Sequence, residues 1–143
     1  MFIGEYSHTV DDKGRLSVPV KFRHSVADGV VITRGLDHCL FVYPKSEWEG
    51  LASKLSQLPL GQKQSRAFAR LMLAGAWDAD LDAQGRVMVP EYLRTYANLG
   101  KHVTVTGLYN RMEIWNEDAW HEYRTKTEEQ SDEIAEAMGA LGV

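Results

Sequence analysis

Two aspartates are each followed four residues later by an arginine, in closely matching surroundings. The first pair lies in Val10-Asp11-Asp12-Lys13-Gly14-Arg15-Leu16-Ser17-Val18-Pro19, the second in Leu81-Asp82-Ala83-Gln84-Gly85-Arg86-Val87-Met88-Val89-Pro90. A guanidinium is a planar, permanently charged fork of donors, suited to phosphates and to a two-pronged contact with guanine O6 and N7. That is recognition chemistry, not bond-making. Arg15 and Arg86 are therefore candidate contacts to double-stranded DNA, and Lys13 at the turn tip adds a flexible charge for phosphates. Gly14 and Gly85 can let the backbone come close, while Asp11, Asp82 and Gly85 are read as shaping the turns. Lys21 and Arg23, just past Pro19, either extend the contact set or are solvated charge.

The plainer alternative is that each aspartate and arginine pair only with one another. Exposed ion pairs contribute about 0–1 kcal/mol, a weak reason to build the motif twice. The two copies are also unequal. Asp12-Lys13 in the first becomes Ala83-Gln84 in the second, and Asp78, Asp80 and Asp82 surround the second with negative charge. The first copy is expected to carry the stronger contact, with Arg86 serving either DNA or the fold.

No other constellation suggests chemistry. Cys39 is the only cysteine, and His8, His24, His38, His102 and His121 are scattered without metal-ligand spacing. No glycine-rich phosphate loop or histidine-partnered nucleophile is present, so no metal, cofactor or enzymatic activity is expected.

The turns must be positioned by the elements around them, and these too are duplicated. At an offset of 71 the two turn segments align, and the match continues from Phe22-Arg23 to Leu93-Arg94. After a one-residue slip, Gly35-Leu36 aligns with Gly107-Leu108, Val42-Tyr43 with Ile114-Trp115, and Trp48 with Trp120. Each half reads strand, tight turn, strand, short helix, strand, strand. Leu16 and Val18 alternate with Arg15 and Ser17, so Arg15 projects from the polar face of its strand. Pro19 and Pro90 end strands and suit the first position of a helix. Strands are expected over Val30–Thr33, Leu40–Tyr43, Val103–Thr106 and Met112–Trp115. A capping box of Ser46 and Glu49 is expected to open a connector helix that Pro59 stops, and a second helix to run from Gln62 to Ala74. The organisation expected is a first repeat over 5–48, a helical connector over 49–75, a second repeat over 76–120 and an acidic helix or tail over 121–143. Units of this size bury too little surface to stand alone and must share a core.

With 143 residues, 44% of them hydrophobic and 25% charged, the composition is that of one globular domain. Apolar runs extend only a few residues, against about 20 for a membrane span, and the N-terminus lacks a basic segment followed by an apolar one. A cytoplasmic protein with no membrane partner is expected. The net charge of −4 is unevenly placed. From Glu117 onward eight acidic residues face two basic ones, a balance of −6, whereas residues 1–116 carry 14 basic against 12 acidic, or +2. A mildly basic body with an acidic tail is compatible with a DNA partner.

The paired, phased Asp-x-x-x-Arg turns, each with Pro four residues beyond the arginine, resemble the SpoVT-AbrB repeat. With Met1-Phe2-Ile3-Gly4-Glu5-Tyr6, Thr33-Arg34-Gly35-Leu36-Asp37 and Asn110-Arg111-Met112-Glu113-Ile114-Trp115 added, nearly the whole chain resembles the MraZ family. The resemblance implies a β-rich α+β fold, with two tandem units forming a pseudo-twofold barrel of double-psi or swapped-hairpin type and flanking helices. It also implies a nucleoid-associated regulator, usually a repressor, acting on its own operon in the division and cell-wall gene cluster. Such proteins are expected to form ring-like homo-oligomers on direct repeats in promoter DNA. The second reading is an oligomeric protein-interaction scaffold or antitoxin-like regulator with little DNA affinity of its own.

Overall fold

The computed structural model describes residues 1–143. Strand β1 (Phe2–Thr9) leads through the first turn to β2 (Arg15–Ser17), and two 3-10 turns (Val20–Phe22, His24–Val26) lead to β3 (Val30–Arg34) and β4 (Leu40–Pro44). Helices α1 (Lys45–Ser56) and α2 (Lys63–Ala69) follow, α2 running on into a π-helical turn over Arg70–Ala74. The second half repeats the plan with β5 (Trp77–Ala79), β6 (Arg86–Met88), α3 (Glu91–Tyr96), β7 (His102–Tyr109) and β8 (Met112–Asn116). Helices α4 (Glu117–Glu129) and α5 (Ser131–Met138) close the chain, and no helix is long and apolar enough to cross a membrane.

The halves exchange strands. One antiparallel sheet has the order β1-β7-β8-β4-β3-β5, so the first strand of each half lies against the third strand of the other. The two short strands that follow the turns pair with each other in a separate ladder, β2 with β6. Its register, Arg15 opposite Met88 and Ser17 opposite Arg86, is symmetric about Leu16 and Val87. The β4–β8 register is likewise symmetric about Phe41 and Glu113. The fold is thus the sheet-rich α+β fold expected, with pseudo-twofold pairing, but the ladders form an open six-stranded sheet and a two-stranded ribbon and no closed barrel. Both β2 and β6 are only three residues long and pair with each other, β2 adding one isolated bridge from Leu16 back to Val10.

The core explains the sharing. Leu16, Val18 and Phe22 of the first half pack with Val87, Val89 and Leu93 of the second, together with Val30, Ile32, Val103 and Ile114 from the sheet. A second cluster of Cys39, Phe41, Tyr43, Leu55, Met72 and Trp115 covers the other face, beneath Trp48 and Trp120. The runs in β3 and β4 are apolar at successive positions because both sheet faces are buried there. Trp77 is exposed at the sheet edge.

Several local expectations need correction. The Ser46–Glu49 capping box does not form: α1 begins two residues earlier, at Lys45 behind Pro44, with no side-chain cap. Pro44 fixes its own φ near −55° at the strand end and starts the helix without a cap. Its counterpart in the second half is Asn116, whose Oδ1 accepts from Ala119 N at 2.9 Å. The helix expected after Pro19 is a pair of 3-10 turns.

Gly50 lies inside α1, and a Cβ there would meet nothing within 4 Å. Gly50→Ala is therefore expected to stabilise the protein by about 0.8–1 kcal/mol, read as a higher urea midpoint with an unchanged m-value.

Candidate nucleic-acid interface

Both turns are built by one aspartate each. In the first, Asp11 Oδ1 accepts from the backbone N–H of Lys13 (3.0 Å) and of Arg15 (2.9 Å), and Oδ2 accepts from Arg15 Nε at 2.7 Å. In the second, Asp82 Oδ1 accepts from Gln84 N and Arg86 N, both at 2.9 Å, and Oδ2 accepts from Arg86 Nε at 2.8 Å. The backbone closes identically, with Gly14 N donating to Asp11 O and Gly85 N to Asp82 O. Each glycine sits in the left-handed region, φ +82° at Gly14 and +75° at Gly85, where a side chain is disfavoured.

The consequence for the arginines is positional. Nε of each is held by its own aspartate, which fixes the plane of the guanidinium, while Nη1 and Nη2 of Arg15 make no hydrogen bond within the protein. On the β2–β6 ribbon Leu16 and Val87 face inward, so Arg15, Ser17, Arg86 and Met88 share the outer face. The diagonal register places the two arginines about 7–8 Å apart. Arg86 Nη1 comes within 3.9 Å of Asp11 Oδ2, so Asp11 touches both guanidinium groups. The Arg15 side chain is 33% exposed and that of Arg86 26%.

Backbone N–H donation by Arg15, reinforced by its side chain and by Lys13 N, holds the Asp11 carboxyl below the usual carboxylate range. Arg86 and Gln84 do the same for Asp82. A lowered folded-state pKa means that the turns' contribution to stability is present above the ordinary carboxylate pKa of 3.8 and is lost as pH falls through the lowered value. Asp11→Asn is accordingly expected to flatten the acid side of the stability profile, measured by urea unfolding between neutral pH and pH ~2.5.

The other expected site residues separate into contacts and supports. Lys13 and Asp12 are exposed at the first turn tip, and Lys21 is exposed on the 3-10 turn beyond Pro19. Arg23 is half-buried; its Nε donates to Val18 O at 2.9 Å, and its guanidinium fills the space beneath Gly85 of the other half. Gly14 is buried, and a Cβ there would lie 2.8 Å from Val89 O and 3.1 Å from Arg94 Nε. The close approach it permits is therefore to the second half of its own chain. Asp78 and Asp80, read as charge around the second turn, pair with Lys45 at 3.1 and 3.4 Å.

One supporting residue escaped the sequence reading. Arg94 Nε donates to Val89 O at 2.9 Å and packs under Gly14, the symmetric counterpart of Arg23 under Gly85. Each turn thus rests on an arginine from the opposite half, and Gly14 O and Gly85 O accept from Val89 N and Val18 N across the ribbon. The alignment of Arg23 with Arg94 at the 71-residue offset carried that signal.

Both repeats match one family model, "MraZ protein, putative antitoxin-like", over residues 1–71 and 72–140. The chain is also similar to three proteins each named transcriptional regulator MraZ. Identity is 49% to that of Halothermothrix orenii and 50% to that of Pediococcus pentosaceus, over the full length of both chains. It is 49% to that of Oenococcus oeni over 96% of each chain.

Proposed function

Because the chain belongs to the MraZ family, we propose that it is a DNA-binding transcriptional regulator whose β2–β6 ribbon enters the major groove with Arg15 leading. The observation that carries this reading is the Arg15 guanidinium: plane fixed by Asp11, terminal nitrogens free, on an outward face. A two-stranded ribbon fits the major groove, and an immobilised fork loses less freedom on binding than a loose side chain. Arg86 contributes a second, partly neutralised fork beside it, and Lys13 and Lys21 reach phosphates. Arg23, Arg94 and Gly14 act by holding the turns.

The body's small basic excess makes a single contact weak, so affinity comes from several subunits engaging repeated sites together. In this reading the protein is a ring-like homo-oligomer on direct repeats of its own promoter, in a division and cell-wall operon. It represses by occlusion and resides on the nucleoid. A fluorescence anisotropy titration of the DNA upstream of its own gene, against a scrambled duplex, tests the proposal. Preference for the native duplex is expected; equal or undetectable binding to both would remove the DNA reading in favour of a protein-binding scaffold.

Lys13→Ala is expected to lower affinity similarly on both duplexes and to reduce the slope of log K against log salt by about 1, because one phosphate contact is lost. A change confined to the native duplex would instead place Lys13 on a base edge.

A further inference from the structure

The two turns differ in what lies beside them. A groove of about 550 Å³ opens next to the first turn, and Thr9, Asp11, Asp12, Arg94, Gly100 and Lys101 are among its lining residues. One wall is the loop that leads into β7, held against the end of β1 where Val10 N donates to Lys101 O at 2.8 Å. That loop is longer than its counterpart in the first half. Val103, the partner of His8, lies nine residues beyond Arg94, whereas Val30, the partner of Ala79, lies seven beyond Arg23. The two additional residues bring Lys101 to the groove.

Beside the second turn the corresponding place is closed. Gly29, which aligns with Gly100 at the 71-residue offset, is buried, and a Cβ on it would lie 2.8 Å from both Asp80 Oδ1 and Lys45 Cε. A Cβ on Gly100 would meet nothing within 4 Å. Charge differs in the same sense. At the first turn Asp11 is committed to Arg15, which leaves Arg94 and Lys101 against Asp12, a net +1. Lys101 is exposed and pairs with no carboxylate, and Arg94 uses only Nε, on Val89 O, so its two terminal nitrogens keep no partner. At the second turn Arg23 and Lys45 face Asp28, Asp78 and Asp80, a net −1.

We propose that the groove beside the first turn seats a backbone phosphate of the bound DNA, with Lys101 as its contact and the Arg94 guanidinium behind it. An unpartnered fork and a flexible ammonium in an open groove neutralise a phosphodiester without stripping it of water. The DNA backbone is the source because Asp11 both borders the groove and holds the Arg15 fork, at 2.7 Å. A base contact by Arg15 and a backbone contact by Lys101 then fix the register of the duplex together. The carboxylates beside the second turn repel backbone at the equivalent place, so the duplex leans toward the first turn. This inference rests on the proposed DNA reading and extends it to a residue of the second repeat that reaches across to the first turn.

Lys101→Ala tests it, because the side chain is exposed and the backbone carbonyl that Val10 uses is unchanged. By anisotropy over a salt series, the variant is expected to bind native and scrambled duplexes roughly three- to tenfold more weakly, with a slope of log K against log salt shallower by about 1. Lys101→Arg should restore both quantities. Lys54→Ala, which removes an exposed lysine from α1 on the other face of the sheet, should change neither. Duplexes carrying one neutral methylphosphonate at successive positions locate the contact: one position is expected to weaken the wild type and to leave Lys101→Ala unaffected. Lys101→Ala with wild-type affinity and slope would overturn the seat. So would a variant that responds like the wild type at every methylphosphonate position, the result expected if the groove held a free phosphorylated molecule instead. Arg15→Ala, measured alongside, separates the two claims: a loss at Arg15 with none at Lys101 rejects the phosphate seat alone, whereas a loss at neither removes the DNA reading and the seat with it.

Discussion

Arg15→Ala is expected to leave the protein folded and to lower its affinity for the native duplex by roughly 5- to 150-fold per engaged site, corresponding to about 1–3 kcal/mol. The side chain is outside the core, and its one internal tie is to Asp11, so removal costs the fold little. What is lost is a fork whose free nitrogens have no other partner. Linked sites multiply the loss, so the effect on a duplex with several repeats exceeds that on a single repeat. Arg86→Ala is the informative comparison. Its guanidinium lies against two carboxylates, Asp82 and Asp11, so its charge is already partly satisfied and its removal is expected to cost less. Competitive anisotropy on one-repeat and multi-repeat duplexes measures both; a larger loss at Arg86 than at Arg15 would reverse the order of the two turns.

Gly14→Val is expected to reduce stability by about 2–4 kcal/mol and to lower DNA affinity with it. Two costs combine. The backbone at φ +82° disfavours any L side chain, and a branched one most. The new Cβ would also sit 2.8 Å from Val89 O, which accepts from Arg94 Nε, so the contact joining the halves must open. Thermal unfolding should show a Tm lower by on the order of 10 °C. A Gly14→Val protein with an unchanged Tm would mean that the turn does not depend on the opposite half. Gly50→Ala, at a glycine with open surroundings, provides the contrast.

Much of this architecture was legible because the physical signals are local. The Asp-to-Gly turns, the alternation around Leu16, and the apolar runs of β3 and β4 each follow from a few adjacent residues. The duplication extended them to the second half, including α3 after Pro90. What local patterns do not contain is which strand pairs with which. Exchange of β1 and β5 between halves, and the pairing of β2 with β6, are decided by burial of Leu16, Val18, Val87 and Val89 in one shared cluster. For that reason the ribbon and open sheet replace the expected barrel.

The site divides the same way. Asp11, Arg15, Asp82 and Arg86 were readable from spacing alone, since one aspartate must cap a four-residue turn and reach the arginine at its end. The support roles of Arg23 and Arg94 were not, because each acts on a turn about 62 or 80 residues away in the chain. The burial of Glu113 was hidden for a different reason, since its hydrogen-bond partners are close in the chain. Glu113 accepts from Arg111 at 3.0 Å and from Trp115 Nε1 at 3.0 Å, opposite Phe41 on the symmetry line. An acidic residue in a strand reads as solvent-facing until its partners are placed around it.

The asymmetry between halves has a functional use in this account. One strong fork beside one restrained fork gives the ribbon a direction on DNA, so that copies on direct repeats all face the same way. A symmetric pair would suit inverted sites instead.

The most direct test is a salt series on the native upstream duplex, comparing the wild type with the double variant Arg15→Ala, Arg86→Ala. The wild type should show a steep negative slope of log K against log salt and a clear preference over scrambled DNA. The double variant should retain its thermal stability, lose that preference and show a shallower slope. A folded double variant binding the native duplex with wild-type affinity and slope would contradict the assignment of the paired guanidinium forks as the DNA-reading surface.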